Sequence, residues 1–335
     1  MLSLVLPKLL AALATLFAGA GATVVAVRLI QHTPGPTSFR ATSIPSPTTT
    51  TSGATASRRF ATPRGFPAPP TGAVVFARED RADALALGVV PQSRGALAQV
   101  SVLSDEGAGV RGLTVQLTAR TGSSAAETKR AAPCGPGCYR ASFASAGSPG
   151  PIAVDVRGKG ATTHWTVSLP ARWPVPSAAN LMARATATWR GLHSMRYVDR
   201  LASGPGEEVT SLWKIVAPDR VSYAIRGGSG AVIIGDKRWD RESAGGKWVE
   251  SDQVPLTQPQ PFWAEVSDPH LLGSATVGGH PVWKVSFFDP VSLAWFEIAI
   301  EKSTGRTLDL HMTGTAHFMH DTYTSFDRPL QIEAS

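Results

Sequence analysis

The chain of 335 residues has only two cysteines and is poor in charged side chains. Asp, Glu, Lys and Arg together make up 17% of it, against about a quarter in ordinary globular proteins. Two cysteines cannot supply a disulfide scaffold, and they are too few for a zinc site made of several thiolates. With 43% hydrophobic residues, 32 glycines and 26 prolines, the chain resembles neither a disordered acidic protein nor a helical bundle.

The sequence also lacks the motifs of common catalytic sites. It contains no Gly-x-Ser-x-Gly, no His-Glu-x-x-His and no P-loop. Residues 107–112 have the spacing Gly-x-Gly-x-x-Gly, but a strand rather than a helix is predicted after them, which indicates a turn and not a dinucleotide site. We therefore expect no enzyme activity.

The net charge of +7 is unevenly distributed along the chain. Residues 1–176 carry 17 Lys and Arg against 7 Asp and Glu, whereas residues 177–335 carry 15 against 18. Because the basic excess is scattered arginine without a dense cluster, we do not expect nucleic-acid binding.

An uncharged apolar segment covers residues 9–27 within a first region of residues 1–30. It is long enough to span a bilayer, and small residues near its middle also resemble signal-peptide cleavage sites. The apolar run continues past those sites, which favours an uncleaved single-pass anchor in the cell membrane. Under either interpretation the rest of the chain is expected to be extracytoplasmic, and it would be secreted if the segment is cleaved.

Residues 31–72 have the composition of a disordered stalk. Of these 42 residues, 23 are Pro, Ser or Thr, and none is Asp or Glu. Such a segment has too few apolar side chains to form a core. We interpret it as a spacer between the anchor and the folded part of the chain.

Residues 73–172 are predicted to form an immunoglobulin-like β-sandwich. Short segments of alternating or continuous apolar residues recur between turn signals and give seven candidate strands. These strands are Ala73 to Ala77, Ala84 to Val90, Leu97 to Leu103, Leu113 to Ala119, Cys138 to Phe143, Ile152 to Val156 and Thr163 to Leu169.

Both cysteines of the chain lie in this region, at Cys134 and Cys138, around the turn sequence Gly-Pro-Gly. A disulfide is the favoured interpretation, because an exported protein meets an oxidising compartment. The alternative is a pair of thiolates that holds a soft metal ion such as Cu(I).

Residues 177–335 are predicted to form an α+β domain. Ser177 is a candidate N-cap, and Leu181, Ala185, Trp189 and Leu192 form one apolar stripe, so an amphipathic helix should open the domain. Strands without another strong helix should follow it. The predicted strands are Tyr197 to Leu201, Val209 to Val216, Arg220 to Ile225, Ala231 to Ile234, Lys247 to Glu250, Val282 to Phe287, Trp295 to Glu301 and Thr307 to His317.

Three segments of this domain give it a family resemblance. The opening helix, residues 213–223 and residues 232–239 resemble the LolA/LppX lipoprotein-carrier superfamily, and residues 300–308 resemble its acid-turn-Gly-Arg hairpin. That resemblance implies an unclosed antiparallel β-barrel, or curved sheet, around an apolar cavity for acyl chains. The aromatic residues expected to line such a cavity are Trp213, Tyr223, Trp239 and Trp283.

The order of the whole chain suggests a second resemblance. The apolar segment, the sandwich with residues 132–139 and the end with residues 316–321 resemble the extracytoplasmic C-terminal extension of actinobacterial CopD-like copper-resistance proteins. The sandwich is similar in type to CopC and YtkA-like modules. This resemblance implies a role in copper handling beside a multi-span copper-transport protein.

The candidate ligands for copper are His311, Met312, His317, Met319 and His320. Imidazole and thioether groups suit copper in either oxidation state. If the segment is one strand, alternation places His311, His317 and Met319 on one face and the other two on the opposite face. Packing of these side chains in an ordinary core is the alternative.

Three classes of function follow from the sequence. The first is a non-catalytic, membrane-anchored extracytoplasmic binding protein that is accessory to copper handling. The second is a carrier or sensor of a lipid, a lipoprotein or another apolar ligand. The third is a structural docking module. The resemblance of the whole chain favours the first.

Overall fold

The computed structural model describes residues 64–93, 95–121, 125–144, 149–158, 160–254 and 261–334. The predicted membrane segment at 9–27 and residues 31–63 of the predicted stalk lie outside these ranges. The last residues of that stalk, 64–72, are described, and Phe66 among them packs against a buried cluster of the folded part. From residue 64 onward, no described helix is long and apolar enough to cross a membrane.

The first part of the described chain is a sandwich of two antiparallel sheets. One sheet has the strand order β1-β2-β3-β7-β6 and the other the order β5-β4-β8-β9. Leu87 and Val100 of the first sheet share one buried core with Leu117 and Val154 of the second. The strands are β1 Val74–Asp80, β2 Asp83–Gln92, β3 Gly95–Leu103, β4 Thr114–Thr121, β5 Glu127–Arg130, β6 Ala132–Gly135, β7 Cys138–Ala144, β8 Pro149–Gly158 and β9 Ala161–Val167.

Two of these strands, β5 and β6, were not predicted from the sequence. Each lies at the edge of its sheet and pairs with one neighbour. All four residues of β6 are exposed, and β5, with the sequence Glu-Thr-Lys-Arg, is polar throughout and alternates between half-buried and exposed residues. Without a buried face, such strands show no apolar alternation.

The glycine-rich segment at 107–112 is a loop between β3 and β4, as expected. A Cβ atom added to Gly109 would lie 2.4 Å from the carbonyl carbon of Pro136. The loop therefore approaches the turn that joins β6 to β7 at backbone distance, which only glycine permits. Cys134 and Cys138 form a disulfide across that same turn.

The second part is one antiparallel sheet of eleven strands that does not close into a barrel. Its strand order is β15-β14-β13-β12-β11-β10-β20-β19-β18-β17-β16. Its strands are β10 Ser194–Ala202, β11 Val209–Val216, β12 Arg220–Ile225, β13 Gly230–Ile234, β14 Lys237–Arg241, β15 Val249–Asp252, β16 Ser267–Val277, β17 His280–Asp289, β18 Ala294–Glu301, β19 Thr307–Gly314 and β20 His317–Thr324. The predicted fold class, mainly β with a helix on an open antiparallel sheet, is confirmed.

The prediction of one strand over Thr307 to His317 is wrong, because the chain reverses within it. Residues 315 and 316 form a turn, with Ala316 at a φ of 47°, and β19 and β20 pair as a hairpin. Two further strands, β14 and β16, were not predicted. Charged residues interrupt β14, and the pairing of β16 with β17 is irregular between Ser267 and His270, which blurs alternation.

The helix α1, Ala179–Arg190, lies across the large sheet. Its buried side chains are Met182, Ala185 and Trp189, so Met182 takes the place that the sequence analysis gave to the half-buried Leu181. Ser177 Oγ accepts a hydrogen bond from the Ala179 amide at 3.3 Å, although the N-cap residue itself is Ala178. The strand β16 holds the beginning of the helix, because the Ala178 amide donates to the Pro269 carbonyl at 2.8 Å.

The sandwich packs against one face of the large sheet, which we call the outer face. Phe66 stacks on Phe288 and on Trp295, with ring centroids 5.9 Å apart in both cases. The buried cluster at this contact comprises Ala73, Val75, Ala84, Ala86, Leu103, Phe288, Trp295 and Phe318. The opposite face of the sheet, which lies under α1, is called the inner face.

The close approach at Gly109 gives a test of the sandwich. Gly109→Ala should lower the free energy of unfolding by about 1–3 kcal/mol, because its Cβ would overlap the Pro136 carbonyl and the backbone must shift. Urea denaturation measures the change. Gly112→Ala is the control: its Cβ meets nothing within 4 Å, and the positive φ of 75° should cost about 1 kcal/mol. A Gly109→Ala protein as stable as wild type would show that the two turns are not in contact.

Candidate functional site

A row of aromatic rings crosses the inner face of the large sheet. Tyr323, Tyr197, Trp213 and Tyr223 lie opposite one another on the adjacent strands β20, β10, β11 and β12. Successive ring centroids are 5.0, 5.6 and 4.7 Å apart. All four side chains are buried.

The helix α1 continues this row. Trp189 packs edge-on against Tyr323 at 5.1 Å and against Trp263 at 5.7 Å. Trp263 in turn contacts Phe287 on β17 at 6.2 Å. We call the rings from Tyr223 to Phe287 the aromatic layer. It covers the sheet from β12 to β17 between the strands and the helix.

The structure brings together two of the four residues predicted to line a cavity. Trp213 and Tyr223 belong to the aromatic layer, where neighbouring rings fill the space between them. On β13, Ala231 lies opposite Tyr223 and therefore belongs to the inner face, so the next residue, Val232, points to the outer face. Trp239 lies opposite Val232 and points to the outer face with it. Trp283 lies far across the sheet on β17, with the Lys302 ammonium 3.8 Å from its ring.

Two aspartates lie within the aromatic layer. Asp199 on β10 and Asp321 on β20 are opposite each other and are 4% and 0% exposed. Asp321 Oδ2 accepts a hydrogen bond from the Tyr323 hydroxyl at 2.5 Å. Asp199 Oδ2 accepts one from Ser211 Oγ at 3.2 Å, and the Trp213 indole donates to the same Oγ at 2.7 Å. We call Asp199 and Asp321 the acidic pair.

The acidic pair still holds a proton at pH values well above those at which an aspartate ordinarily loses it. Burial raises the pKa of Asp199 to about 6, although hydrogen bonds from Ser211 and Trp213 oppose the shift. Burial and the charge of Asp199 raise the pKa of Asp321 well above its ordinary value. Two carboxylates side by side in apolar surroundings cannot easily both ionise. The pair therefore keeps a shared proton.

Two donors of the aromatic layer have no partner, and neither do the Oδ1 atoms of Asp199 and Asp321. The Tyr197 hydroxyl and the Trp189 indole Nε1 are both buried and make no hydrogen bond. Buried polar groups are bonded in most native structures, so such atoms call for a water molecule or a ligand group. Both belong to the aromatic layer, which gives it apolar walls and unused hydrogen-bond donors.

A groove of about 430 Å³ opens at the beginning of α1. It lies where the helix meets β16, at one margin of the inner face. Its lining residues are Ser177, Ala178, Ala179, Asn180, Leu181 and Leu271.

The predicted copper ligands separate into two groups on opposite faces of the β19–β20 hairpin. In its register His311 lies opposite His320, Met312 opposite Met319, and Gly314 opposite His317. Strand alternation places Met312, His317 and Met319 on the inner face and both other histidines on the outer face. The expected grouping of His311 with His317 and Met319 is wrong, because alternation restarts after the turn at 315–316.

The inner-face members of this set belong to the core. Met312 and Met319 are 6% and 3% exposed. Burial lowers the pKa of His317 to about 4, so its imidazole is neutral, and its Nε2 is buried without a partner. On the outer face the two histidines meet Asp309, a residue that the sequence analysis did not select. The sequence feature that could have identified Asp309 is the Asp-x-His spacing on β19, because residues two apart on a strand lie on the same face.

Comparison with known proteins finds distant structural similarity. No family model and no curated protein matches the chain. LprF from Mycobacterium bovis is 14% identical with a TM-score of 0.36, over 48% of this chain and 98% of that one. The LolA superfamily protein NE2245 from Nitrosomonas europaea is 8% identical with a TM-score of 0.23, over 47% and 95%. A DUF1329 family protein from Desulfovibrio piger is 9% identical with a TM-score of 0.26, over 48% and 96%. Scores below 0.5 assign neither fold nor function.

The acidic pair predicts a pH dependence of stability. Its folded pKa values are raised, so the folded protein keeps a proton that the unfolded chain loses above about pH 4. The free energy of unfolding due to the pair should therefore fall as pH rises through about 6. In Asp321→Asn this decrease in the free energy of unfolding with pH should be smaller, because asparagine does not titrate. Relative to wild type, the variant should gain stability between pH 4 and pH 8.

Urea denaturation of both proteins at pH 4, 6 and 8 measures this difference. The comparison must be between the variant and wild type, because His317 acts in the opposite direction over the same range. Its lowered pKa makes the folded state lose stability as pH falls, and this contribution is common to both proteins. A stability difference that does not change with pH would show that the pair does not share a proton.

Proposed function

We propose that this chain is a non-catalytic binding protein for an apolar, lipid-like ligand that lies between α1 and the rings on the strands below it, Tyr223, Trp213, Tyr197 and Tyr323. The observation that carries the proposal is the aromatic layer itself, with its two unpartnered donors beside a protonated acidic pair. A lipid supplies a long apolar surface for the rings and a polar group for the donors. The sequence resemblance to LolA/LppX carriers implies the same class of ligand.

The architecture provides a route for such a ligand. The rings of the layer are in mutual contact, so a ligand must enter by displacing the cover formed by α1 and Trp263. This cover is tied at its margins, where Arg184 Nη2 donates to the Ser303 carbonyl at 3.0 Å and the Ala178 amide to Pro269. Lifting the cover would break these ties and the bridge between Ser177 and His270, but no pairing between the strands of the sheet. The groove at the beginning of α1 is the proposed entrance.

The electrostatics of the layer favour a neutral polar group on the ligand. The acidic pair retains a proton but still carries negative charge when Asp199 ionises, with a pKa of about 6. An anionic head group beside it would meet a like charge in a low dielectric. An ester or amide carbonyl can accept hydrogen bonds from Tyr197 and Trp189 without that cost.

The proposal keeps the earlier expectations about location. The segment at 9–27 would anchor the protein in the cell membrane, and the described part would work outside the cytoplasm. Copper handling gains no support from the hairpin, because its register divides the five candidate ligands between the two faces of the sheet. We therefore place the lipid-binding role, the alternative of the sequence analysis, first.

Probe binding tests the layer. We expect parinaric acid methyl ester, which has a carbonyl acceptor, and diphenylhexatriene, a hydrocarbon, both to bind wild type with a fluorescence increase. Tyr197→Phe should weaken binding of the ester about tenfold, because one hydrogen bond is lost, and should leave diphenylhexatriene unaffected. Without ligand the variant should be as stable as wild type, since it removes an unpartnered hydroxyl.

Tyr139→Phe is the matched control for that experiment. Its hydroxyl donates to the Val110 carbonyl at 2.8 Å inside the sandwich, away from the layer. The control should lose some stability and bind both probes as wild type does. Absence of any probe binding by wild type would refute the proposed function. Equal effects of Tyr197→Phe on both probes would show that the Tyr197 hydroxyl does not bond to the ester carbonyl.

A cross-link tests the entrance. Ser177 and His270 form an antiparallel bridge between the start of the helix and β16, a spacing that suits a disulfide. In the double variant Ser177→Cys with His270→Cys, oxidation should abolish diphenylhexatriene binding and reduction should restore it, because the cover cannot lift when it is linked.

Mass spectrometry would verify the cross-link, and wild type with and without reductant controls for the native disulfide. Equal binding by the oxidised and reduced double variant would show that the ligand does not enter at this end of α1. In that case the binding site could stand while the entrance would have to be sought elsewhere.

A further inference from the structure

We propose that Asp309, His311 and His320 bind a divalent transition-metal ion of the Zn²⁺ type on the outer face of the large sheet. These three residues, here called the Asp-His-His cluster, are not part of the aromatic layer. Among the residues that the structure describes, they form the one group of three or more His, Cys, Asp or Glu side chains with ligand atoms all within 4.8 Å of one another.

The backbone fixes the relative positions of the three side chains. His311 and His320 are directly opposite in the register of β19 and β20, and Asp309 lies two residues before His311 on the same strand. The two imidazole rings stack with centroids 3.9 Å apart and planes inclined by 16°. A hairpin ladder thus holds the donors on one face, and little conformational freedom is left to lose when an ion binds.

Both imidazoles direct the same nitrogen at one carboxylate. His320 Nε2 lies 2.8 Å from Asp309 Oδ2, and His311 Nε2 lies 3.2 Å from Asp309 Oδ1. Burial alone would raise the pKa of Asp309, but the hydrogen bonds and charges of the two histidines outweigh it and lower the pKa. The two ring nitrogens and the carboxylate therefore lie close enough together to contact one ion.

The donor set matches the chemistry of borderline divalent ions. Two imidazole nitrogens and one carboxylate oxygen are ligands that suit Zn²⁺ and its neighbours, whereas thioethers are absent from this face. Each Nε2 faces the Asp309 carboxylate, so its hydrogen has to move to Nδ1 or be released when an ion takes the Nε2 lone pair.

Solvent access leaves room for a further ligand. The side chain of His311 is 50% exposed and that of His320 is 31% exposed, so water can complete the coordination. Glu297 lies opposite His311 on β18, where it forms an ion pair with Lys284. Arg200 lies opposite His320 on β10. The charged neighbours of the cluster are therefore one acidic side chain, Glu297, and two basic ones, Lys284 and Arg200.

Titration of the whole chain with Zn²⁺ against a chromophoric chelator tests the proposal. We expect one equivalent to bind to wild type. His320→Ala and Asp309→Asn should each weaken binding by at least about tenfold, because a ligand or its charge is lost. Zn²⁺ should also raise the Tm of wild type and not that of the variants, since it binds the folded state.

Two variants control for other interpretations. His164→Ala removes a histidine that is paired with Asp155 at 2.8 Å in the sandwich but has no second histidine beside it, and it should not change affinity. Met319→Leu tests the inner-face thioether of the original ligand set and should also leave Zn²⁺ affinity unchanged.

The proposal would be overturned if wild type bound no Zn²⁺, or if His320→Ala bound it as tightly while keeping the wild-type circular dichroism spectrum. Loss of binding in Met319→Leu with a native spectrum would also overturn it, because it would move the site to the other face. Lipid-probe binding is measured separately on the inner face, so failure of either proposal leaves the other standing.

Discussion

The pairing of β10 with β20 holds the large sheet together. Strands β11 to β15 extend from one side of this pair and strands β16 to β19 from the other. The two segments are distant in sequence, since Arg196 meets Thr324 and Ala202 meets Phe318. Without this contact the sheet would be two separate meanders. The same pairing places Tyr197 against Tyr323 and Asp199 against Asp321, so the centre of the candidate site forms only when the sheet is complete.

This pairing also accounts for the unusual chemistry of the inner face. Register determines which side chains are opposite, and here it places two acids opposite each other, between the tyrosine pair on one side and Leu201 with Met319 on the other. Burial then prevents both acids from ionising. A pair of apolar residues would pack there without such a cost, so the pair is not explained by stability. Together with the unpartnered donors, the pair gives the inner face buried polar groups that a bound molecule would satisfy.

Local features of the fold could be predicted from the sequence, whereas the site could not. The strands β11 and β12 were predicted with their observed ends, because their alternation is strong. The segment from Thr307 onward was predicted as one strand, because its turn at residues 315 and 316 is Thr-Ala and not the Asn-Gly or Asp-Gly that usually marks a hairpin. That single turn decides which of His311 and His317 shares a face with Met319. The importance of Asp309 and Asp321 depends on cross-strand neighbours, and one sequence does not show strand register.

The β19–β20 hairpin connects the two faces of the sheet electrostatically. A sheet is one backbone layer thick, so charges on its opposite faces are separated by little more than the pleat. The negative charge of Asp309 on the outer face is one of the causes that raise the pKa of Asp321 on the inner face. The two histidines that lower the pKa of Asp309 keep that charge in place. A cation on the outer face would oppose the same charge and so make it easier for the acidic pair to release its proton.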